Sequence, residues 1–250
     1  MNNKEILYAA CRNDLYAFMQ KAFYEIDGSQ KFKGNWHLEL ICDKLQQCLD
    51  GKIKRLIINI PPRNLKSHIA SITFPSYILG HSPSERIICA SYAQPLANDL
   101  SRKTRQLMET DFYKQVFKTR LGDKNTENMF ETTYNGYRFA TSVDGSLTGF
   151  GGNWIILDDP IKADDAQSDV KRNNVNNWYD NTLISRLNDK VNGVIIVVMQ
   201  RLHIDDLTGH LLKQDGWDLL SLPAIAEHDE SFTLSNGKIV GRKAGEALNP

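Results

Sequence analysis

The stretch LIINIPPRNLKSHIA, residues 56–70, decides the fold. An apolar run typical of a buried strand meets two prolines, then Lys66-Ser67, then the start of a helical pattern. This is the layout of a phosphate-binding loop, but Ile60 and Leu65 hold its two glycine positions. Without glycine, we expect Leu65 to adopt a backbone conformation that a branched side chain permits. A plain strand-to-helix turn, with Ser67 near the helix cap, is the alternative for this stretch.

The composition of the 250 residues is that of a globular protein. Hydrophobic residues make up 41% and charged residues 24%, which suits one large domain or one domain with an appendage. Thirty basic residues balance thirty acidic ones, so any contact with nucleic acid must come from local patches. No apolar run approaches the roughly 20 residues of a membrane span. The four cysteines lack metal-binding spacing, as expected of reduced thiols in an intracellular protein.

Buried strands alternate with helices along the chain, which predicts an α/β fold with a mainly parallel sheet covered on both faces. Asn135-Gly136 predicts the turn of a hairpin. Beyond Pro223 the pattern dissolves into polar sequence, which we interpret as a linker. The predicted helices cover residues 5–25, 36–49, 66–80, 94–111, 167–187 and 204–213. The predicted buried strands are RLIINI, ERIICAS, NWIILDD and GVIIVVMQ, and a further strand is predicted over WDLLSLP.

Ligands of such folds bind at the carboxyl ends of the strands, where this chain places charged side chains. Lys66 can bind the β and γ phosphates of a nucleotide, and the Ser67 hydroxyl can coordinate Mg²⁺. Asp158-Asp159 end a buried strand, where one carboxylate can hold Mg²⁺ and the next can orient the attacking water. An Asp-Asp-Pro turn is the alternative. The combination of the acids with the Lys-Ser pair favours a nucleotide site.

Another buried strand ends in Gln200, Arg201 and His203. Gln200 is favoured as the group that senses the γ-phosphate, whereas Arg201 either contacts phosphate or forms a structural ion pair. Asp205 is expected to cap the helix that follows. The glycine-rich run over residues 142–153 predicts either a mobile loop near the phosphates or a long turn.

Together these motifs resemble the ATPase domain of the large terminase subunit of tailed bacteriophages, the motor that packages DNA into proheads. The resemblance runs over nearly the whole chain. It implies a P-loop NTPase fold of the ASCE type, a three-layer sandwich with a mainly parallel central sheet between helices, and ATP and Mg²⁺ as cofactors. The motifs that carry it are PPRNLKS as a Walker A motif without glycines, SYAQPLANDLSRKTRQLM, SLTGFGGNWIILDDPIKADDAQS around Walker B, WYDNTLISRL, and MQRLHIDDLTG as the coupling motif.

The resemblance also implies roles for single residues. Asp159 takes the place of a catalytic glutamate, although its side chain is one methylene shorter. The implied catalytic residues are Asp159, Lys66, Gln200 and Arg63, the metal ligands are Ser67 and Asp158, and the coupling residues are Gln200, Arg201 and His203. The implied nucleotide-binding residues are Pro62, Arg63, Asn64, Leu65, Lys66, Ser67 and His68, with Trp36 and His37 at the base. The arginine finger is unplaced, and its candidates are Arg102, Arg105, Arg138 and Arg186, while Arg63 can act within its own subunit.

Three segments are expected: a helical part over residues 1–50 with the base-contacting segment, an ATPase core over 51–223, and a linker or lid over 224–250. Large terminases also carry a nuclease domain, which we expect to lie outside this sequence, so no nuclease activity is predicted. By resemblance, the function is ATP-driven translocation of double-stranded DNA into the prohead, in the host cell cytoplasm. The implied partners are DNA, the portal protein, the small terminase subunit and a homo-oligomeric ring, with the isolated domain a monomer and no membrane contact.

Two other functions stay open from the sequence. A helicase-like DNA-dependent ATPase would need a second motor domain, and a nucleotide-binding assembly module would not hydrolyse ATP. Candidate DNA contacts are Lys52, Lys54 and Arg55 before the first strand and Arg102, Lys103 and Arg105 on a helix, and solvated surface charge is the alternative for both groups.

Overall fold

An eight-stranded sheet lies between two layers of helices in the computed structural model, which describes residues 2–28 and 31–249. The strands are β1 (Arg55–Asn59), β2 (Arg86–Ser91), β3 (Leu121–Asn125), β4 (Met129–Thr132), β5 (Tyr137–Ser142), β6 (Trp154–Asp158), β7 (Val194–Met199) and β8 (Asp218–Ser221). The helices are α1 (Asn3–Asn13), α2 (Leu15–Ile26), α3 (Trp36–Leu49), α4 (Phe74–His81), α5 (Gln94–Glu109), α6 (Asp111–Val116), α7 (Asp169–Trp178) and α8 (Leu207–Leu211).

The strand order is β3-β4-β5-β2-β6-β7-β1-β8. The six strands from β5 to β8 in this order pair in parallel, and β4 and β3 add two antiparallel pairs at one edge. Strand β7 lies between β1 and β6, so one strand separates the strand before Lys66 from the strand that ends in Asp158. The predicted mainly parallel sheet of the ASCE type is confirmed.

Both faces of the sheet are buried, which explains the uniformly apolar strands. Alternate residues of a strand point to opposite faces. Leu56, Ile58 and Ile156 therefore pack into the core on the side of α1 to α6, while Ile57 and Leu157 pack into the core on the side of α7 and α8.

Two predicted helices are shorter than expected. The predicted helix over 5–25 is two helices, because the Asp14 carboxylate accepts a hydrogen bond from the Ala17 amide and caps α2 while its own amide closes α1. The predicted helix over 167–187 ends at Trp178 and continues as a π-helical turn, Tyr179–Leu183, and a 3-10 turn, Ile184–Arg186.

The segment after Pro223 is folded, although the sequence pattern predicted no element there, and its role as a linker or lid stays a prediction. It forms an antiparallel hairpin of β9 (Glu230–Thr233) and β10 (Ile239–Arg242), called the C-terminal hairpin below. Val240 packs into the same core as α3, although most neighbouring side chains are polar. The pattern is hard to see in the sequence because only one face of this short hairpin is buried.

The predicted turn at Asn135-Gly136 is confirmed, since β4 and β5 pair antiparallel across it. Asn135 has φ 62°, and a Cβ at Gly136 would lie 2.2 Å from the Pro83 carbonyl oxygen. The sequence did not predict α6 and β3, which are short. Among the described residues, no helix is long and apolar enough to cross a membrane.

Candidate nucleotide site

The phosphate loop, residues 60–67, connects β1 to the helical turn that begins at Lys66. Arg63 and Leu65 have φ 64° and 55°, the left-handed conformation that glycine adopts most easily. The expectation that Leu65 takes an ordinary conformation is therefore wrong. The side-chain amide of Asn64 donates hydrogen bonds through Nδ2 to the carbonyl oxygens of Pro61 and Pro62, at 3.2 and 3.1 Å. These bonds stabilise a loop whose left-handed backbone conformation usually requires glycine.

Lys66 and Asp159 meet at the carboxyl edge of the sheet. Lys66 Nζ lies 2.5 Å from Asp159 Oδ1, and the lysine side chain is only 8% exposed. The same oxygen accepts a hydrogen bond from the Gln200 backbone amide at 3.3 Å. Asp159 has φ 45°, and its backbone bonds to Val198 and Tyr92 fix it between the ends of β7 and β2. Three segments distant in sequence thus converge on one carboxylate.

Asp158 is buried beside this pair, and its two oxygens have different surroundings. Oδ2 accepts a hydrogen bond from the Ser71 hydroxyl at 2.7 Å, whereas Oδ1 has no hydrogen-bond partner among the described residues. Burial and then repulsion from Asp159 raise the pKa of Asp158 to about 6. The hydroxyls of Ser67 and Ser71 and the charge of Lys66 oppose that shift.

These residues fit a magnesium ion. A buried carboxylate oxygen without a partner and a neighbouring hydroxyl are oxygen ligands of the kind that Mg²⁺ takes. The described residues contain no group of three or more His, Cys, Asp or Glu side chains that could hold a metal alone. Mg²⁺ commonly uses one or two protein carboxylates and completes its shell with phosphate and water, so a single acid is sufficient.

Ser71 is a site residue that the sequence analysis missed. It lies in a π-helical turn, His68–Thr73, that follows the phosphate loop. A signal for it was present, since Ser67 and Ser71 are four residues apart in a predicted helix and therefore share a face.

Residues 200–206, the coupling turn, are held by one carboxylate. Asp206 accepts hydrogen bonds from Arg201 Nε at 3.1 Å and from the Gly209 amide at 3.0 Å, and it caps α8. The expectation that Asp205 is the cap is wrong, and Arg201 forms the structural pair. His203 accepts a hydrogen bond from the Asp205 amide through Nδ1.

Gln200 contacts the site through its backbone rather than through its side chain. Gln200 also lines a cavity of about 370 Å³ that borders the start of the phosphate loop at Pro61. Pro223 and Glu227 line the same cavity, and no sequence pattern pointed to them.

The predicted base-contacting residues Trp36 and His37 begin α3 and both lie beside the C-terminal hairpin. The Trp36 ring stacks on Phe232 of the C-terminal hairpin with a centroid distance of 6.1 Å, and burial followed by the charge of Arg242 lowers the pKa of His37 to about 4. Neither contact involves the phosphate loop, and base binding by these two residues stays a prediction.

His68 directly follows the phosphate loop and is buried against α2. Its ring lies 5.4 Å from that of Phe23, and its Nδ1 lies 3.7 Å from the Asp27 carboxylate. Burial lowers the pKa of His68 to about 4, so the ring is neutral at pH 7.

One arginine-finger candidate is excluded by its position. Arg138 is 0% exposed, and a finger must reach a neighbouring subunit from the surface. Arg63, Arg102, Arg105 and Arg186 are exposed or half-buried, and they stay predictions.

The second half of the glycine-rich segment, residues 142–153, is packed against the rest of the protein. Leu147 is buried, and the Phe150 ring stacks on Phe139 with a centroid distance of 4.2 Å. The Tyr137 hydroxyl donates a hydrogen bond to the Gly151 carbonyl. The segment is therefore mainly a packed turn, and its exposed residues are Asp144, Ser146, Thr148 and Gly149.

Comparison with known proteins gives structural matches alone. No protein-family model matches the chain, and neither does any curated protein. The large terminase of bacteriophage HK97 is similar in structure with a TM-score of 0.59 and 13% sequence identity, over 90% of this chain and 46% of that one. The large terminase of a thermophilic bacteriophage, in complex with ADP, matches with a TM-score of 0.45 and 13% identity, over 72% of this chain and 44% of that one.

This chain spans about half the length of the HK97 large terminase. At 13% identity the match shows the fold alone. The resemblance found in the sequence motifs and the independent structural match point to the same architecture. The chain has the P-loop NTPase fold of bacteriophage large terminases.

Proposed function

We propose that this chain binds and hydrolyses ATP as the motor domain of a large terminase. The observation that carries the proposal is the contact of Lys66 with Asp159, 2.5 Å long, beside a buried Asp158 with a free oxygen. An ammonium, two acids and a hydroxyl at the carboxyl edge of a parallel sheet are the groups that phosphoryl transfer requires.

Lys66 is placed to exchange partners during binding. The phosphates of ATP carry more charge than one carboxylate, so they compete with Asp159 for the ammonium. Once released from Lys66, Asp159 can accept a hydrogen bond from the water that attacks the γ-phosphate. The Gln200 amide, which donates to the same Asp159 oxygen, senses whether that carboxylate has moved.

Asp158 and Ser67 would hold Mg²⁺. The ion would neutralise charge that develops on the phosphates during transfer. The raised pKa of Asp158, about 6, leaves it mainly ionised at pH 7 and able to bind a cation.

The wider role is part of the same proposal, supported by the resemblance of the sequence motifs to those of large terminases. We propose that hydrolysis drives translocation of double-stranded DNA into a prohead, in the cytoplasm of a host cell. The assembly would be a homo-oligomeric ring on the portal protein, with the small terminase subunit as a further partner. An arginine from a neighbouring subunit would complete the site, and Arg63, Arg102, Arg105 and Arg186 are its candidates.

Phosphate release from ATP tests the proposal. Asp159→Asn should lower the rate by about 10²- to 10⁴-fold, the usual contribution of a positioned acid or base, while nucleotide binds at least as tightly because Lys66 loses its competing partner. Lys52→Ala, which alters an exposed lysine before β1, is the control and should keep the wild-type rate when DNA is absent. An Asp159→Asn protein with the wild-type rate would overturn the proposed mechanism.

Phosphate release and DNA unwinding distinguish the two other functions that the sequence leaves open. If the wild-type chain binds ATP but releases no phosphate at high protein concentration with duplex DNA present, it is a non-hydrolysing module. Unwinding of duplex DNA coupled to ATP use would instead support the helicase-like function.

A further inference from the structure

The carbonyl of Ser71 is available for bonds from outside its own helix. In an α-helix, this carbonyl would accept the amide proton of residue 75, but Pro75 has none to donate. Ser71 lies in the π-helical turn His68–Thr73. The Ser71 carbonyl accepts hydrogen bonds from Thr104 Oγ1 and from Arg138 Nη2, both at 3.1 Å.

Arg138 is the largest fully buried side chain among the described residues. Its Nε and Nη1 have no hydrogen-bond partner within the part of the chain that the structure describes. Burial lowers the pKa of Arg138, which shows that the charge is held at a cost. A buried guanidinium with unpaired donors is destabilising unless something nearby compensates it.

The Asp158 carboxylate offsets a part of this cost. Arg138 is aligned with Ile87 across β5 and β2, and Ile87 is aligned with Trp154 on β6. Asp158 is four residues after Trp154, so Arg138 and Asp158 lie on the same face of the sheet, the face that packs against the π-helical turn. On that face Cys89 and then Asp158 act to raise the pKa of Arg138, against the larger lowering by burial.

Ser71 connects the two charged side chains. Its carbonyl is held by Arg138, and its hydroxyl donates to Asp158 Oδ2 at 2.7 Å. Because that bond fixes one carboxylate oxygen, the partnerless Oδ1 is fixed as well. The carboxylate therefore cannot rotate without breaking the Ser71 bond.

We propose that Arg138 is a positioning residue, which anchors Ser71 so that the free oxygen of Asp158 faces the metal-nucleotide site. The proposal rests on the proposed function for the identity of the ligand. The bond to the Ser71 carbonyl is one reason for an arginine here, because the single proton of the Thr104 hydroxyl is shared with the Leu100 carbonyl, which lies closer at 2.8 Å. The second reason is the charge, which offsets the twin acids Asp158 and Asp159 from within the core.

The test uses the full chain with Mn²⁺ as the probe, measured by electron paramagnetic resonance with a non-hydrolysable ATP analogue. Arg138→Met should weaken Mn²⁺ binding by about 10- to 100-fold, the usual cost of losing a group that orients a metal ligand. Affinity for the analogue in EDTA should change less than about twofold, a difference below 0.5 kcal/mol. Arg138→Lys, which restores the charge, should recover part of the loss.

Two further variants separate positioning from a merely structural role. Ser71→Ala should weaken Mn²⁺ binding as Arg138→Met does, and the double variant should add little, because both act through one bond. Arg172→Met is the matched control: Arg172 is also buried, but its bonds are to Ala166 and Asp169. It should lose stability and keep Mn²⁺ affinity.

Full Mn²⁺ affinity in folded Arg138→Met, or additive losses in the double variant, would overturn the inference. If Arg138→Met does not fold, Ser71→Ala and Arg138→Lys decide it by the same readout. Crystal structures of the wild type and of Arg138→Lys give a further test that needs no nucleotide. A Ser71–Asp158 hydrogen bond that is present in the wild type and weakened or absent in the variant supports the inference. An unchanged bond opposes it. Wild-type protein that binds no nucleotide would refute the proposed function. The comparison of crystal structures would still decide whether Arg138 positions Ser71.

Discussion

Buried charge occurs in two regions of this protein, and the two regions differ in how completely it is paired. Beneath the C-terminal hairpin, Arg242 donates to both oxygens of Glu230, at 2.7 and 3.2 Å. Its remaining bonds go to the carbonyls of Pro223, Ala224 and Glu246. At the phosphate-loop edge, the free oxygen of Asp158 and two nitrogens of Arg138 have no partner among the described residues.

The contrast separates charge that is fully paired within the protein from charge that a ligand could still pair. A guanidinium with all its donors used holds the chain in place, and nothing further can bind to it. A buried oxygen left without a partner is destabilising unless a ligand supplies the missing interaction. Hence we expect substitutions to have opposite effects on stability in the two regions.

The largest expected effect on stability lies under the C-terminal hairpin. Arg242→Met leaves the Glu230 carboxylate buried and unpaired, and it should lower the free energy of unfolding by about 3–5 kcal/mol. Urea denaturation measures the change. Replacing both residues, Arg242→Met with Glu230→Met, should recover most of the loss, since no charge is then left alone. A single variant with nearly wild-type stability would contradict the structural role of the pair.

A smaller effect of opposite sign is expected at Asp158. Folding raises its pKa from the ordinary 3.8 to about 6, so the folded state binds the proton more tightly than the unfolded state does. That contribution to stability is present at low pH and is lost as the pH rises through about 6. Asp158→Asn should therefore raise the free energy of unfolding at pH 8 by on the order of 1–3 kcal/mol, and should not raise it at pH 4.

Urea denaturation of both proteins at the two pH values measures this difference. Glu230→Gln serves as the comparison from the other region, and it should destabilise the protein at pH 8. If Asp158→Asn is less stable than the wild type at pH 8, the buried carboxylate is not held at a cost, and the contrast between the regions fails.

The smallest expected effect concerns the backbone of the phosphate loop. Arg63 is exposed with φ 64°, so Arg63→Gly should relieve strain and stabilise the protein by about 1 kcal/mol. Gly51 has φ 75°, and a Cβ added there would meet nothing within 4 Å, so Gly51→Ala should cost about the same amount through φ alone. Thermal denaturation compares the two variants. A destabilised Arg63→Gly protein would show that the Arg63 side chain makes contacts that outweigh the strain.

Much of the fold follows from patterns within single segments. The apolar strands at 55–60 and 193–200 predicted a sheet buried on both faces, because no solvent-facing alternation interrupts them. The hairpin after Pro223 could not be predicted in the same way. Its stability comes from the pairing of Glu230 with Arg242 and from Val240 packing beside α3, contacts between residues far apart in sequence.

The candidate site shows the same limit. Lys66 and Asp159 are recognisable because residue type and position at a strand end suffice to predict them. The left-handed backbone of Leu65 could not be predicted, since a branched side chain disfavours it and only the surrounding loop imposes it. Arg138 was misassigned to the surface because a charged residue in a hairpin gives no sign that its strand lies deep in the sheet.

Calorimetric titration of a non-hydrolysable ATP analogue with Mg²⁺ is the most direct test of the nucleotide site. Lys66→Ala should lose at least about tenfold in affinity, because a charge-assisted bond to phosphate contributes about 1.5–3 kcal/mol. Lys52→Ala should bind as the wild type does. Equal affinity of the wild type and Lys66→Ala for the analogue would contradict a phosphate-binding role for this loop.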